Sequence, residues 1–207
     1  MNVFRRFLGM CVLLLLAGGA ARAQGDFAIK NGDHIVFYGD SITEQRLYTT
    51  YTEAYIVTRF PQRSVRFVHS GVGGDRVNGG WAGGIDPRLN RDLVAYKPTV
   101  VTIMLGMNDA SYRAFDQGVF DTYANGYRHI LDHIKMALPQ ERLTLIVPSP
   151  FDDVTRAPGW EGGYNNVLVR YGQFVADLAK QEKHEHQRPE KNRVPIHCRA
   201  YPWTFRY

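Results

Sequence analysis

Four short runs of the chain are apolar almost without a break: HIVFYG (34–39), SVRFVHSG (64–71), TVVTIMLG (99–106) and RLTLIVPSP (142–150). Continuous β-branched and aromatic runs of this length predict strands buried on both faces, as in a parallel sheet. Between them the apolar period lengthens to that of a helix. Phe120, Tyr123, Tyr127, Ile130, Leu131, Ile134 and Leu138 fall on one helical face. Val167, Leu168, Tyr171, Phe174, Val175 and Leu178 form the apolar stripe of a second helix, from about Asn166 to Lys183. Strands alternating with helix-length segments predict an α/β fold, with a parallel sheet covered by helices on both faces. No internal repeat or linker interrupts the pattern.

Both ends depart from it. The start, MNVFRRFLGMCVLLLLAGGAARAQ, has a basic opening, an apolar run from Phe7 to Ala21 and a small-x-small tripeptide, Ala21-Arg22-Ala23. The run is short for a bilayer span, so residues 1–23 are expected to be a signal peptide cleaved near Ala23, with a secreted or periplasmic product. Cys11 then leaves with the leader and Cys198 stands alone, which excludes an internal disulfide and a cysteine zinc site. Residues 24–183 form the expected domain. From His184 to Tyr207 the chain loses periodicity and reads as a basic, unpatterned tail.

The sequence pI of about 9.2 suggests nucleic acid until the charges are located. Three of the 25 Lys and Arg lie in the first 23 residues, and seven more, against three acids, lie in 180–207. That leaves the body 15 bases and 17 acids. A body with a net charge of −2 offers no basic stripe, and nucleic-acid binding is set aside.

Candidate chemistry sits where strands end. The first runs into Gly-Asp-Ser, and Ser41 reads either as a helix cap, with Glu44 three residues on, or as a nucleophile at a strand's carboxyl end. The second ends in SGVGGDRVNGGWAGG, where glycines either make a tight turn or expose a bare backbone N–H at Gly74. The third ends in LGMNDAS, where Asn108 and Asp109 are either caps or donors facing the same crevice. Together Ser41, Gly74 and Asn108 supply a hydroxyl, a backbone donor and an amide donor on one sheet edge. That is the layout acyl transfer needs.

In order and position, GDSIT, SGVGGD and GMND resemble the first three sequence blocks of the SGNH hydrolases, or GDSL-type esterases. The resemblance covers roughly residues 33–180. It implies a three-layer α/β/α, flavodoxin-like fold, and ester hydrolysis with no cofactor. Ser41 would be the nucleophile, with the N–H groups of Ser41 and Gly74 and the Asn108 amide as the oxyanion hole. The family's fourth block, Asp-x-x-His, is missing: no Asp or Glu has a histidine three residues later. Its absence, with that of a fifth strand, leads to the expectation that the chain is truncated or shifted in frame from about residue 184, and weak as an enzyme. His129 and His133 have helical i, i+4 spacing suited to a metal, but with no third ligand apparent they read as a solvated helix face.

Two functions remain open on these grounds: a secreted serine esterase, and a non-catalytic binder of an acylated glycan or lipid in the same crevice. A nucleotide binder is disfavoured because SGVGGD is not Gly-x-Gly-x-x-Gly. Trp81, Trp160, Tyr164 and the tyrosines of 48–55 are candidates to line the cleft. They favour acylated carbohydrate over long-chain lipid, although Trp160 and Tyr164 equally suit a loop packed on the body.

Overall fold

The computed structural model of the chain describes residues 28–157 and 159–186, with side chains up to Glu182. Residues 1–27 and those beyond His186 lie outside the described residues, together with the signal-peptide and tail expectations placed on them.

In chain order the elements are β1 (His34–Gly39), α1 (Ser41–Glu44), α2 (Leu47–Arg59) and β2 (Arg66–Gly71). A glycine ribbon follows, β3 (Gly79–Gly80) and β4 (Gly83–Gly84), then α3 (Ile85–Asp92) and a 3₁₀ turn at Val94–Tyr96. The chain continues through β5 (Val100–Met104), α4 (Gln117–Ala137), β6 (Arg142–Ile146) and α5 (Gly163–His186). Four strands form one sheet in the order β2-β1-β5-β6, every pair parallel. The chain thus winds outward from β1 in one direction and then in the other. In such sheets the gap at the reversal, here between β1 and β5, is where ligands bind.

Alternation along the strands divides the sheet into two faces. Val36 and Tyr38 of β1, Val101 and Ile103 of β5, and Leu143 and Leu145 of β6 share a buried cluster with α3, α4 and α5. Tyr127 and Ile130 of α4, with Tyr171 and Val175 of α5, are fully or almost fully buried there. On the opposite face Phe37 meets Tyr48 of α2 edge-on, with ring centroids 6.1 Å apart, and stacks on His69 at 5.5 Å. The helical stripes read from the sequence are therefore the core faces of α4 and α5.

Boundaries shift where backbone chemistry overrides apolarity. The third strand stops at Met104 because Gly106, at φ +130°, turns the chain while it is still buried. The fourth stops at Ile146, shortly before Pro148 and Pro150, which have no N–H for a ladder. Helix α5 starts at Gly163, three residues before the expected start at about Asn166. The Asp153 carboxylate accepts from the N–H groups of Tyr164 and Asn165, at 3.2 and 2.8 Å. A cap supplied from ten residues upstream leaves no local sign.

Candidate active site

The turn after β1 explains what Ser41 is doing. Asp40, not Ser41, is the N-cap of α1, its carboxylate accepting from Ile42 N–H at 3.0 Å. Ser41 is the first helical residue, half-buried, and its hydroxyl has no hydrogen-bond partner among the described residues. An acid placed one residue earlier takes over the cap and leaves the serine available. The turn is wedged between its neighbours. A Cβ on Gly71 would lie 2.1 Å from Glu44 N, and one on Gly39 only 2.2 Å from Thr43 Oγ1 and 2.6 Å from Met104 O. Glycine at both strand ends lets α1 sit directly on the sheet.

The other two residues stand on the same carboxyl edge. Gly39 is in register with Gly71 of β2 and Met104 of β5, so Ser41, Gly74 and Asn108 follow three adjacent parallel strand ends. Gly74 adopts φ +72°, and its N–H, like that of Ser41, donates to no described group. Asn108 caps nothing; the cap of α4 is Asp116, which accepts from Val119 N at 2.9 Å. Instead its amide donates one hydrogen to Asp75 O at 3.0 Å, and its carbonyl oxygen accepts from Tyr112 OH at 2.9 Å. A second amide hydrogen remains. Asp109 Oδ1 accepts from Val77 N at 2.9 Å. These two bonds stitch the loop after β5 to the loop after β2, across the end of β1.

Sequence reasoning missed the support beneath that seam. Arg88 of α3 is wholly buried; its guanidinium donates to Asp75 Oδ2 at 3.1 Å and to Ser70 O at 2.6 Å. It also pairs with Asp92 at 2.9 Å and lies 4.6 Å from the centre of the Tyr38 ring. Arg88 thereby fixes Asp75, whose carbonyl holds Asn108. The signal available was a lone arginine on a helix's apolar side, between Ile85 and Leu89, which is rarely buried unless paired.

Three buried carboxylates surround this seam, and burial raises the pKa of each. Asp40 is pushed up to about 6, mainly by burial, against the stabilising Ile42 N–H and with help from the Asp75 charge. Asp109 is pushed up to about 7, again mainly by burial, with Asp40 contributing. Asp75 is also raised by burial, with Arg88 opposing. A cleft of about 310 Å³ opens beside Asp109, with Asn78, Ser111 and Thr122 in its wall.

No described histidine serves Ser41. His34 opens β1 at the amino edge, about 20 Å away along a strand of this length. His69 is held by Thr49 Oγ1 at 2.7 Å and Glu53 Oε2 at 3.3 Å, both on α2. His129 and His133 lie on α4 beside Asp86. The side chains of His184 and His186, and the whole of His197, lie outside the described residues. Of the aromatic candidates, Tyr164 is buried, its hydroxyl donating to Met107 O at 2.6 Å. Trp160 packs edge-on against it, with centroids 6.4 Å apart. That insertion is packed on the body, as the second of its two readings had it. Trp81 is different: 79% exposed, it donates from Nε1 to Gly73 O at 2.6 Å, at the rim of the glycine turn.

Residues 37–190 match the GDSL-like Lipase/Acylhydrolase family. The chain belongs to that family. Its members are ester hydrolases, and the match covers all three motif blocks. An acetylxylan esterase from Geobacillus stearothermophilus is 28% identical over 103 residues, which span 42% of this chain and 44% of that protein. The crystal structure of an acetylxylan esterase from the same organism superposes with a TM-score of 0.60 at 23% identity, covering 75% of each chain. A lipase/acylhydrolase from Enterococcus faecalis superposes at 0.55 with 20% identity, covering 79% of this chain and 74% of that one. At these identities the superpositions establish the fold, the three-layer arrangement of the GDSL hydrolases.

Proposed function

We propose that the protein is a secreted serine esterase that removes short acyl groups from carbohydrate, with Ser41 as nucleophile. The observation that carries this is the carboxyl edge itself. A serine relieved of capping by Asp40 sits among two N–H groups without described acceptors and an anchored amide with one hydrogen to spare. Ser41 Oγ attacks the acyl carbonyl and its proton passes to a base. The N–H groups of Ser41 and Gly74 and Asn108 Nδ2 receive the oxyanion. Collapse of the adduct expels the sugar alcohol, which takes the proton, and water then releases the acid from the acyl-serine. In the solved acetylxylan esterase, the variants described as catalytic mutants replace a serine and a histidine. Ser41 fits the first role. Exposed Trp81 at the rim supports a sugar substrate, since pyranose faces stack on aromatic rings.

A second reading, a non-catalytic binder of acylated glycan, is favoured by one fact: no described histidine reaches Ser41. A fluorophosphonate probe separates the two, because labelling requires an activated serine. Labelling that disappears in Ser41→Ala supports the esterase; an unlabelled but glycan-binding protein supports the binder. For substrate, acetate release from acetylated xylo-oligosaccharides is compared with hydrolysis of p-nitrophenyl esters of rising chain length. Trp81→Ala is expected to raise KM on the glycan while leaving p-nitrophenyl acetate unaffected. Faster turnover of long-chain esters than of acetates would defeat the carbohydrate assignment.

A further inference from the structure

Helices α3 and α4 bring together two histidines and a carboxylate that the esterase chemistry does not use. His129 and His133, one turn apart on α4, project from the same helical face. Asp86, in the first turn of α3, supplies the third group that the sequence did not reveal. One ligand atom from each residue lies within 4.8 Å of the other two. Asp86 Oδ1 is 2.7 Å from His129 Nε2 and 3.4 Å from His133 Nδ1. Zinc bonds of about 2.0–2.2 Å in a tetrahedral site place neighbouring ligand atoms about 3.3 Å apart. The observed separations bracket that value, so small side-chain rotations bring all three onto one ion.

A second contact points the same way. His133 Nε2 lies 3.0 Å from Asn90 Oδ1, one turn after Asp86 on α3. Donation from Nε2 to Asn90 leaves Nδ1 as a lone pair aimed at the Asp86 carboxylate. In that tautomer the lone pair and the carboxylate face each other across 3.4 Å, a gap that either a proton or a metal cation fills. An outer partner that sets the tautomer of a histidine in this way is the usual accompaniment of a metal ligand. His129 and Asp86 are about half exposed and His133 largely buried, which leaves the ion an entry path and an open position for water.

We propose that Asp86, His129 and His133 bind a divalent transition ion, zinc in the first instance. The ion staples α3 to α4. Because α3 also carries Arg88, the staple steadies the Asp75–Asn108 seam from outside without taking part in hydrolysis. The test uses the whole chain without a histidine tag, stripped with chelator and titrated with Zn²⁺ alone against a chromophoric competitor. One ion is expected to bind with a midpoint of heat unfolding raised by several degrees, as for any ligand that binds only the folded state. Asp86→Asn and His129→Gln are each expected to weaken binding at least 100-fold, and Asn90→Ala by about 10- to 100-fold. Circular dichroism of the metal-free variants checks that they fold. No zinc binding by the wild-type chain overturns the proposal. So does affinity unchanged in the His129→Gln/His133→Gln double variant, which would place the ion on other ligands.

Discussion

Replacing Gly71 with alanine tests whether the position of Ser41 depends on a bare backbone at the end of β2. The new Cβ would lie 2.1 Å from Glu44 N, 2.5 Å from Thr43 C and 2.7 Å from Glu44 Cα. All three are backbone atoms of α1 or its end, so no side chain can swing aside. Heavy atoms in contact sit about 3.5 Å apart, so α1 must retreat by about 1 Å or β2 must bend away. Forcing one extra methyl into a packed site costs typically about 1–3 kcal/mol, and a backbone clash belongs at the upper end. Alanine recovers about 0.4–1 kcal/mol through the unfolded chain, leaving a net loss of about 2 kcal/mol. With a urea slope near 2 kcal/mol per molar, the unfolding midpoint falls by about 1 M. Any esterase activity falls by about 100-fold, the scale of a 1 Å misplacement of a reacting group. Gly159→Ala is the control, because its Cβ would meet nothing within 4 Å. A Gly71→Ala protein with the wild-type urea midpoint and activity would refute the claim that α1 is wedged in place.

Three further outcomes are expected. Arg88→Met removes the sole described cation paired with buried Asp75 and should cost about 3–5 kcal/mol, read by urea unfolding. The raised pKa of Asp40, about 6, and of Asp109, about 7, means that the folded state binds these protons more tightly than the unfolded chain does. Their contribution is complete below about pH 4 and is lost as pH rises through about 7. Urea midpoints measured from pH 5 to pH 8 should therefore decline, and Asp109→Asn, which keeps an acceptor for Val77 N–H, should flatten the decline. Finally, ester hydrolysis by the chain should be abolished by Ser41→Ala. Because no described histidine reaches Ser41, alanine at His69, His184, His186 and His197 in turn should identify the base as the position where turnover falls by several orders of magnitude. Hydrolysis unchanged in Ser41→Ala would refute the assignment of Ser41.

The sequence by itself determined the strands, the two long helices and the edge of the sheet that carries Ser41, Gly74 and Asn108. Each of these rests on local patterns: continuous apolarity over four to six residues, a 3.6-residue stripe, and polar or glycine residues where a strand runs out. Three such ends in parallel strands must fall on one edge, so their assembly followed once the strands were recognised. Tertiary structure decided who supports whom. The sequence offered Ser41 as a helix cap, and only the folded turn assigns that bond to Asp40. Asp153 caps a helix across a loop, Arg88 serves Asp75 from 13 residues away, and Asp86 meets His129 across 43. These pairings depend on which helix packs beside which, a global result of burying the apolar stripes. Periodicity records that a face is buried and is silent about the partner waiting there.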